Sequence, residues 1–503
     1  MKDAAPGPHA SRAGITASVM LATTIYALDS TIANVALPHM QGSLNATRDQ
    51  VSWTVTSFVA AMAIMTLPIG FLAQRFGRRR VFLSCICGFT ISSMACGAAG
   101  SLPEMVVFRV LQGACGAAMV PLSQAILLDT YPPERHASAM SIWGVGVMVG
   151  PVLGPIIGGW LTDSYSWRWV FYINLPLGAL AFLGIMVFLG ESPKKPARFD
   201  WFGFVTFAIA VGALQLFLDR GERNGWFESE ETVVEASIAA AAFYVFIVHL
   251  TTSENSLVSL KVFKDLNFTL CTTLMLVVGM VFLGSMVLLP LFLQQLRGMT
   301  VLDTGILLAP RGVGMMVSMI IAGRMSGRID ARILMSLGMI MAMVSMWETS
   351  GFDMNVDDWS VTWTGLLQGG GLGFVFASSS ALAFITLPGQ LRLQATGLYS
   401  LFRNFGGSIG IAISVGMLEH FAAVNRGELG ERLTAFSTWF HDPGASMPWL
   451  PSGVAGIAML DLELARQGLM IAFLNNFQLM AVIGFIGLPL IALLRTPKSI
   501  RRA

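Results

Sequence analysis

Long apolar runs alternate with short polar segments along almost the whole chain. An α-helix needs about 20 mostly apolar residues to cross the hydrocarbon core of a bilayer. Runs of this kind, numbered here as spans 1 to 14, lie at 14–37, 51–72, 81–100, 104–128, 137–162, 168–190, 201–218, 232–251, 266–293, 302–322, 333–350, 361–386, 394–418 and 467–494. The pattern predicts an all-α membrane protein with fourteen transmembrane helices, of which spans 7 and 8 are the least clearly separate.

Composition supports a membrane protein and argues against several other classes. Of the 503 residues, 54% are hydrophobic and 12% are charged, about half the charged share of a soluble domain. A net charge of +2 offers no basic surface for nucleic acid. The five cysteines lie inside apolar runs, and the six histidines are scattered outside metal-ligand spacing. We therefore expect no metal, no cofactor, no nucleic-acid partner and no enzyme activity.

The distribution of Lys and Arg predicts which way the spans face. An even number of spans places both termini on one side, and cytoplasmic loops carry an excess of basic residues. Most of the 31 basic residues fall on the side of the termini, with clusters at 75–80, 194–198 and 324–332. We expect a multi-pass protein of the bacterial inner membrane with cytoplasmic tails at 1–13 and 496–503. Because the first run continues to full spanning length, no cleaved signal peptide is expected.

A long internal repeat relates the two halves of the chain. The triplet 111–113 (Leu-Gln-Gly) in span 4 recurs at 367–369 in span 12, 256 residues later. Weaker matches at nearly the same offset pair Gly70 with Gly323 and Arg135 with Arg392. The offset maps spans 1–6 onto spans 9–14 and leaves spans 7 and 8 as an insert.

The repeat predicts an arrangement of six plus two plus six helices. Its parts are a first bundle at 14–190, a linker with two extra helices at 191–265, and a second bundle at 266–495, which includes an extracytoplasmic loop at 419–466. Two pseudo-symmetric bundles with a cleft between them let one central site face each side of the membrane in turn. A channel with a single gate does not need such a repeat.

Asp29 and Arg109 are the candidates for proton coupling. Asp29 is the only acid well inside span 1, where a carboxylate is costly unless it is paired or protonated. At the helical rise, Asp29 and Arg109 lie roughly 12 Å and 8 Å from the outer ends of spans 1 and 4, so the two can meet. Exposure that changes with conformation would let Asp29 take up and release a proton. A purely structural ion pair is the alternative.

Other polar residues inside the spans are candidates to line a substrate cavity. Arg311 and Arg403 lie deep in spans 10 and 13, where each needs a carboxylate, a backbone carbonyl or a water-lined cavity. Gln112 and Gln368 occupy equivalent positions in the repeat, and Asn34 lies in span 1.

Span 5 carries glycines at every fourth position. The stripe consists of Gly146, Gly150, Gly154 and Gly158, interleaved with Pro151 and Pro155 and followed by Gly159. Small residues at this spacing let another helix approach very closely. One interpretation is ordinary helix packing. The other is that the stripe forms the moving interface between the two bundles.

A tight basic hairpin joins spans 2 and 3. It runs from position 70 to position 80, and its candidate gating residues are Gly70, Gln74, Arg75, Gly77, Arg78 and Arg79. Simple anchoring of the cytoplasmic side by basic residues explains the arginines equally well.

These motifs resemble the major facilitator superfamily and, within it, the fourteen-span drug:proton antiporters of the EmrB/QacA type. The likeness runs through nearly the whole chain and is strongest to EmrB-like exporters at 28–38, at 121–124, at 131–133 and in the loop before the last span. The resemblance implies the fold of the major facilitator superfamily, with two inserted helices between the bundles.

The resemblance also implies roles for particular residues. Arg109, Gln112 and Gly113 match the span-4 motif linked to proton coupling, and 309–312 (Ala-Pro-Arg-Gly) matches a segment common in the family. The segment 150–159 is similar to the antiporter motif of span 5, which is associated with exporters. One position departs from the family, since Gln74 stands where the hairpin usually has an acid, and we expect no charged latch there.

Export of amphiphilic small molecules in exchange for protons is therefore the expected function. The 33 Phe and 30 Met favour a soft apolar pocket, and the three arginines inside spans favour neutral or weakly acidic substrates over multiply charged cations. The alternatives are an uptake symporter of the same fold and, with no supporting motif, a membrane-bound enzyme.

The loop at 419–466 is too long for a simple connection and contains Trp439 and Trp449. It is interpreted either as an interfacial loop on lipid headgroups or as a docking surface or a lid over the exit. The resemblance favours docking, because EmrB-like pumps work with a periplasmic membrane-fusion adaptor that leads to an outer-membrane channel.

Overall fold

The structure is a computed structural model that describes residues 11–132, 135–192, 194, 198–222, 224–253, 256–326, 328–432 and 454–495. Nearly all of this part of the chain is helical. The α-helices, in chain order, are α1 (Arg12–Ser43), α2 (Arg48–Thr66), α3 (Ile69–Phe76), α4 (Arg78–Ala98), α5 (Leu102–Gly116), α6 (Met119–Thr130), α7 (His136–Ser164), α8 (Trp169–Tyr172), α9 (Asn174–Phe188), α10 (Trp201–Arg220), α11 (Glu230–Thr252), α12 (Leu266–Gln295), α13 (Val301–Met325), α14 (Ala331–Thr349), α15 (Asp358–Ile385), α16 (Arg392–Arg432), α17 (Val454–Phe485) and α18 (Gly487–Ala492).

Thirteen helical stretches in the described chain are long and apolar enough to cross a membrane. The fourteenth is the broken pair α2 and α3, which bend by 56° at Leu67 and Pro68. A proline lacks the backbone N–H that a continuous helix requires, so a break at this point is expected. The prediction of fourteen membrane helices is confirmed.

Spans 1–6 and spans 9–14 form two helical bundles, and α10 with α11 lies between them in sequence. The inserted helix α10 contacts both bundles: Thr56 on α2 donates to Asp219 Oδ1 at 2.9 Å, and Ser408 on α16 donates to Gln215 Oε1 at 3.2 Å. The six-plus-two-plus-six arrangement expected from the repeat is therefore present.

The bundles meet along α7 and α13 and, near the turn between α3 and α4, along α2 and α16. We call the end of the molecule that carries this turn the hairpin end. There Ser138 donates to the carbonyl of Gly323 at 3.0 Å, and Thr396 donates to the carbonyl of Pro121 at 3.1 Å.

Spans 13 and 14 extend beyond their predicted ends. Helix α16 has 41 residues and α17 begins at Val454, so helices enter the predicted loop 419–466 from both sides. At the helical rise α16 is roughly 60 Å long, about twice the thickness of the hydrocarbon core. An ion pair of 2.7 Å between Arg426 and Asp461 joins the two extensions. Hydropathy missed them because backbone hydrogen bonds continue a helix after its side chains become polar.

The remainder of the predicted loop, including Trp439 and Trp449, lies outside the described residues. The same holds for most of the tail 1–13 and for the tail 496–503.

Candidate functional site

Asp29 lies fully buried in the first bundle and accepts hydrogen bonds from three side chains on two other helices. Arg109 Nη1 on α5 donates to Oδ2 at 2.8 Å. Gln112 Nε2, one turn further along α5, donates to Oδ1 at 2.8 Å, and Asn174 Nδ2 at the start of α9 donates to the same oxygen at 2.7 Å. The structure thus brings Asp29 and Arg109 together, as their depths in the sequence predicted.

The guanidinium of Arg109 is held at several points besides Asp29. Its Nε donates to the carbonyl of Thr54 at 2.9 Å, and its Nη1 also donates to Gln112 Oε1 at 2.8 Å. The group lies 4.1 Å from the centre of the Phe58 ring, close enough for a cation–π contact. Because Arg109 is only 1% exposed, this arrangement keeps a fixed positive charge against the carboxylate in a dry environment.

Asn174 is a member of this network that sequence reasoning missed. It lies where α8 gives way to α9, and its Nδ2 donates to Ser93 Oγ at 2.9 Å as well as to Asp29. Its Oδ1 is buried without a hydrogen-bond partner among the described residues. The signal available in the sequence is an amide inside the apolar run of span 6.

The second bundle contains a related cluster that has no acid among its described side chains. Arg311 Nη2 on α13 donates to Ser285 Oγ on α12 at 2.8 Å and to the carbonyl of Phe282 at 3.2 Å. Gln368 Nε2 on α15 donates to the same Ser285 Oγ at 3.1 Å. Two of the predicted cavity residues, Arg311 and Gln368, therefore share one hydroxyl. Ser285, which supplies it, was not predicted, although the repeat offset of 256 residues maps Asp29 onto this position.

Arg403 and Asn34 stand apart from both clusters. The Arg403 guanidinium lies 5.5 Å from the centre of the Phe376 ring, and its Nη2 donates to Asn404 Oδ1 at 3.5 Å. Phe376 stacks in turn on Trp143 of the first bundle, with ring centres 6.4 Å apart, so Arg403 lies near the boundary between bundles. Asn34 is exposed on α1, and its side-chain Nδ2 donates to the carbonyl of Ser30 at 3.5 Å.

Comparison with known proteins identifies the family. Residues 19–411 match the family model described as Major Facilitator Superfamily. The chain belongs to this superfamily. It is a transporter rather than an enzyme.

Relatives place the chain in the EmrB-like group of the superfamily. It is 34% identical to "Multidrug export protein EmrB" of Haemophilus influenzae, over 94% of each chain. It is 33% identical to the protein of that name in Escherichia coli K12, over 96% of this chain and 95% of the relative. With "Fatty acid resistance protein FarB" of Neisseria gonorrhoeae it shares 31% identity over 98% of each chain.

Solved structures share the fold at low sequence identity. The human organic anion transporter MFSD10 superposes with a TM-score of 0.62 at 14% identity, covering 95% of this chain and 99% of that one. The proton:xylose symporter XylE superposes with a TM-score of 0.61 at 13% identity, covering 95% and 94%.

The glycine stripe of this transporter packs against α1 inside the first bundle, as ordinary helix packing, one of its two interpretations, predicts. A Cβ atom on Gly150 would lie 2.3 Å from the backbone of Ala27, and one on Gly154 would lie 2.2 Å from Thr31 Oγ1. Both neighbours belong to α1. Hydropathy cannot tell which neighbour a small-residue face meets, because every face of a membrane helix is apolar.

Other positions of α7 contact the second bundle. Pro155 and Val152 lie against Gly305 and Gly312 of α13, respectively. Gly158 packs on Ile32 of α1, whereas a Cβ on Gly159 would meet nothing within 4 Å. The segment 150–159 therefore supplies close packing against α1 on one side and contacts with the second bundle on the other.

The hairpin carries a charged contact between the bundles, although not at Gln74. Arg78 forms an ion pair with Asp129 at the end of α6, and Asp129 also accepts from Arg392 Nη1 of the second bundle at 3.3 Å. Gly77 adopts a φ of +93°, a conformation that favours glycine.

The remaining hairpin residues make separate contacts. Gly70 packs against Gln394 of the second bundle. The Arg75 guanidinium lies 5.7 Å from the centre of the Phe76 ring. Arg79 Nη2 donates to the backbone carbonyl of Met186 at 2.5 Å. Asp129 was not predicted, because its position beside two basic segments is visible only in three dimensions.

Proposed function

We propose that this transporter exports amphiphilic small molecules across the bacterial inner membrane in exchange for protons, with both termini in the cytoplasm. The observation that carries the proposal is Asp29, which is fully buried and bound by the guanidinium of Arg109. A buried carboxylate is stable as an anion only while its partner is in place, and protonation removes the cost when the partner withdraws.

Movement of the two bundles, accompanied by a shift of α1 against α5 inside the first bundle, supplies the required change. Asp29 takes up a proton when it faces the periplasm, and renewed contact with Arg109 expels that proton toward the cytoplasm. One proton entering across 100 mV yields about 2.3 kcal/mol, enough for some tens-fold accumulation of an uncharged substrate. Under this proposal Gln112 and Asn174 orient the carboxylate in the paired state.

Drug-like amphiphiles are the proposed substrates, because relatives covering nearly the whole chain are named multidrug export proteins. The arginines at 311 and 403 lack an acidic partner among the described residues, which favours neutral or weakly acidic compounds. We place Arg403, which lies near the boundary between the bundles, at the substrate pathway.

Reconstituted protein with an imposed pH gradient as the sole energy source tests the proposal. A panel of fluorescent dyes should accumulate on the acidic side of the membrane and be released when the gradient is collapsed. The direction of movement in everted vesicles separates this function from the rival uptake symporter, which would carry dye out of the vesicles together with protons. Dye movement that ignores the gradient would contradict proton coupling.

We further propose a periplasmic membrane-fusion adaptor and, through it, an outer-membrane channel as partners. The extensions of α16 and α17, joined by Arg426 and Asp461, project a pair of helices well beyond the bilayer thickness. Such a projection offers a defined surface for a protein partner, whereas a loop resting on headgroups needs no paired helices.

A further inference from the structure

Arg311 is a buried cation for which the described residues provide no carboxylate. The residue is only 7% exposed, and no Asp or Glu among the described residues forms an ion pair with it. Its Nη2 binds Ser285 Oγ and a backbone carbonyl, while its Nε is buried without a hydrogen-bond partner. An uncompensated guanidinium inside a membrane protein is costly and is usually retained for a function.

The internal repeat shows what this cluster lacks. The offset of 256 that relates Gln112 to Gln368 also relates Asp29 to Ser285. In the first bundle Gln112 Nε2 and a guanidinium both donate to the Asp29 carboxylate, and in the second bundle Gln368 Nε2 and a guanidinium both donate to the Ser285 hydroxyl. The donors are the same, with the guanidinium coming from α13 instead of α5, but the negative charge is absent.

The three side chains come from three helices at one depth. Ser285, Arg311 and Gln368 each lie ten residues from the helix end opposite the hairpin end, roughly 15 Å into the membrane at the helical rise. This is the depth at which secondary transporters bind their substrates.

We propose that Arg311, Ser285 and Gln368 form a subsite for the anionic headgroup of an acidic amphiphile, an inference that rests on the export function proposed above. A ligand carboxylate or sulfonate takes the place of the missing acid and accepts hydrogen bonds from the guanidinium and the hydroxyl. The Phe282 ring, 5.1 Å from the guanidinium, and the Met346 sulfur, 3.4 Å from Gln368 Nε2, provide apolar surface for the body of the ligand.

A matched pair of probes tests the subsite. Naphthalene-2-sulfonate is permanently anionic, and naphthalene-2-sulfonamide has nearly the same shape without the charge. Their binding to the purified full-length protein in lipid nanodiscs is measured by equilibrium dialysis, and their uptake is measured in everted vesicles. The wild type should bind the sulfonate more tightly than the sulfonamide, and the sulfonate should raise its Tm.

Ser285→Asp is the decisive variant, because it supplies the missing carboxylate from the protein itself. The ratio of sulfonate to sulfonamide affinity should fall at least about tenfold, since a fixed acid occupies the anion position and repels the ligand. Ser285→Asn introduces a side chain of the same size as aspartate but without its charge. It should keep the ratio of sulfonate to sulfonamide affinity within about twofold of the wild type. Arg311→Gln should lose the preference as well, and thermal unfolding shows whether each variant is folded.

Equal loss of preference in Ser285→Asp and Ser285→Asn would overturn the subsite. The subsite would also be overturned if the wild type showed no preference for the sulfonate, or if the folded Arg311→Gln variant kept that preference. Failure of the export function gives a different result: a pH gradient then drives neither probe nor any dye, although the sulfonate still binds with the predicted charge dependence.

Discussion

At the residue scale, the Asp29 carboxylate is both the proposed proton carrier and the partner that neutralises Arg109. Asp29→Asn should abolish gradient-driven export, because the amide cannot titrate. It should also destabilise the protein by about 3–5 kcal/mol, the usual cost of leaving one member of a buried pair uncompensated. Exchange of labelled for unlabelled substrate without a gradient should persist, and the two assays run on the same proteoliposomes separate coupling from binding. Export that survives in the variant would exclude Asp29 as the coupling group.

Arg109 acts through the shape of its headgroup as well as its charge. The guanidinium donates from Nε and Nη1 to Thr54, Asp29 and Gln112 at once and also lies over the Phe58 ring. A lysine ammonium cannot reproduce this planar set of contacts. We expect Arg109→Lys to lower the rate of gradient-driven export at least about tenfold, measured as initial dye uptake. Wild-type rates in the lysine variant would reduce the role of Arg109 to that of a point charge.

At the element scale, α1 and α7 pack so closely that a single added methyl group should force them apart. A Cβ on Gly150 would lie 2.3 Å from the carbonyl carbon of Ala27, and backbone cannot rotate out of the way as a side chain can. Gly150→Ala should therefore destabilise the protein by about 1–3 kcal/mol and displace α1 beside Asp29. Thermal unfolding in detergent and export of the same preparation measure the two effects.

Gly159→Ala is the matched control within the same motif, since its added Cβ meets nothing within 4 Å. If the two alanine variants have the same thermal stability and the same export rate, the contact between α1 and α7 limits neither property.

At the scale of the whole molecule, Asp129 joins the two bundles at the hairpin end by binding both Arg78 and Arg392. The pair with Arg392 crosses between the bundles and is partly exposed, so it contributes about 0–1 kcal/mol to their contact. Asp129→Asn should accordingly raise the opening of this end up to about fivefold. The rate at which a thiol reagent labels Gln394→Cys in everted vesicles, in a background without the five native cysteines, measures the opening. Asp163→Asn, an exposed acid near the other end of α7, is the control and should leave labelling unchanged.

We propose that the adaptor contacts the two projecting helices together with the segment 433–453, which connects them in sequence. Replacement of this segment by a short Gly/Ser linker should spare transport in proteoliposomes, because α16 and α17 remain intact. Drug resistance in cells and co-purification with an adaptor should both be lost. Undiminished resistance in cells that carry the replacement would rule out docking through this segment.

Sequence alone determined the properties that depend on local composition and on the repeat. Apolar length predicted fourteen spans, and the recurrence of Leu-Gln-Gly predicted two related bundles with an inserted pair. Depth within spans 1 and 4 was enough to pair Asp29 with Arg109, since position along a helix axis follows directly from residue count.

Only the tertiary structure decided which side chains meet around those axes. Asn174 and Ser285 join buried clusters, and Asp129 links the two bundles. The glycine stripe faces α1. None of these contacts was predicted from the sequence. The physical reason is that a membrane helix is apolar on all faces, so hydropathy carries little information about its rotation. Rotation and partner choice are set by close packing and by hydrogen bonds between residues far apart in the chain.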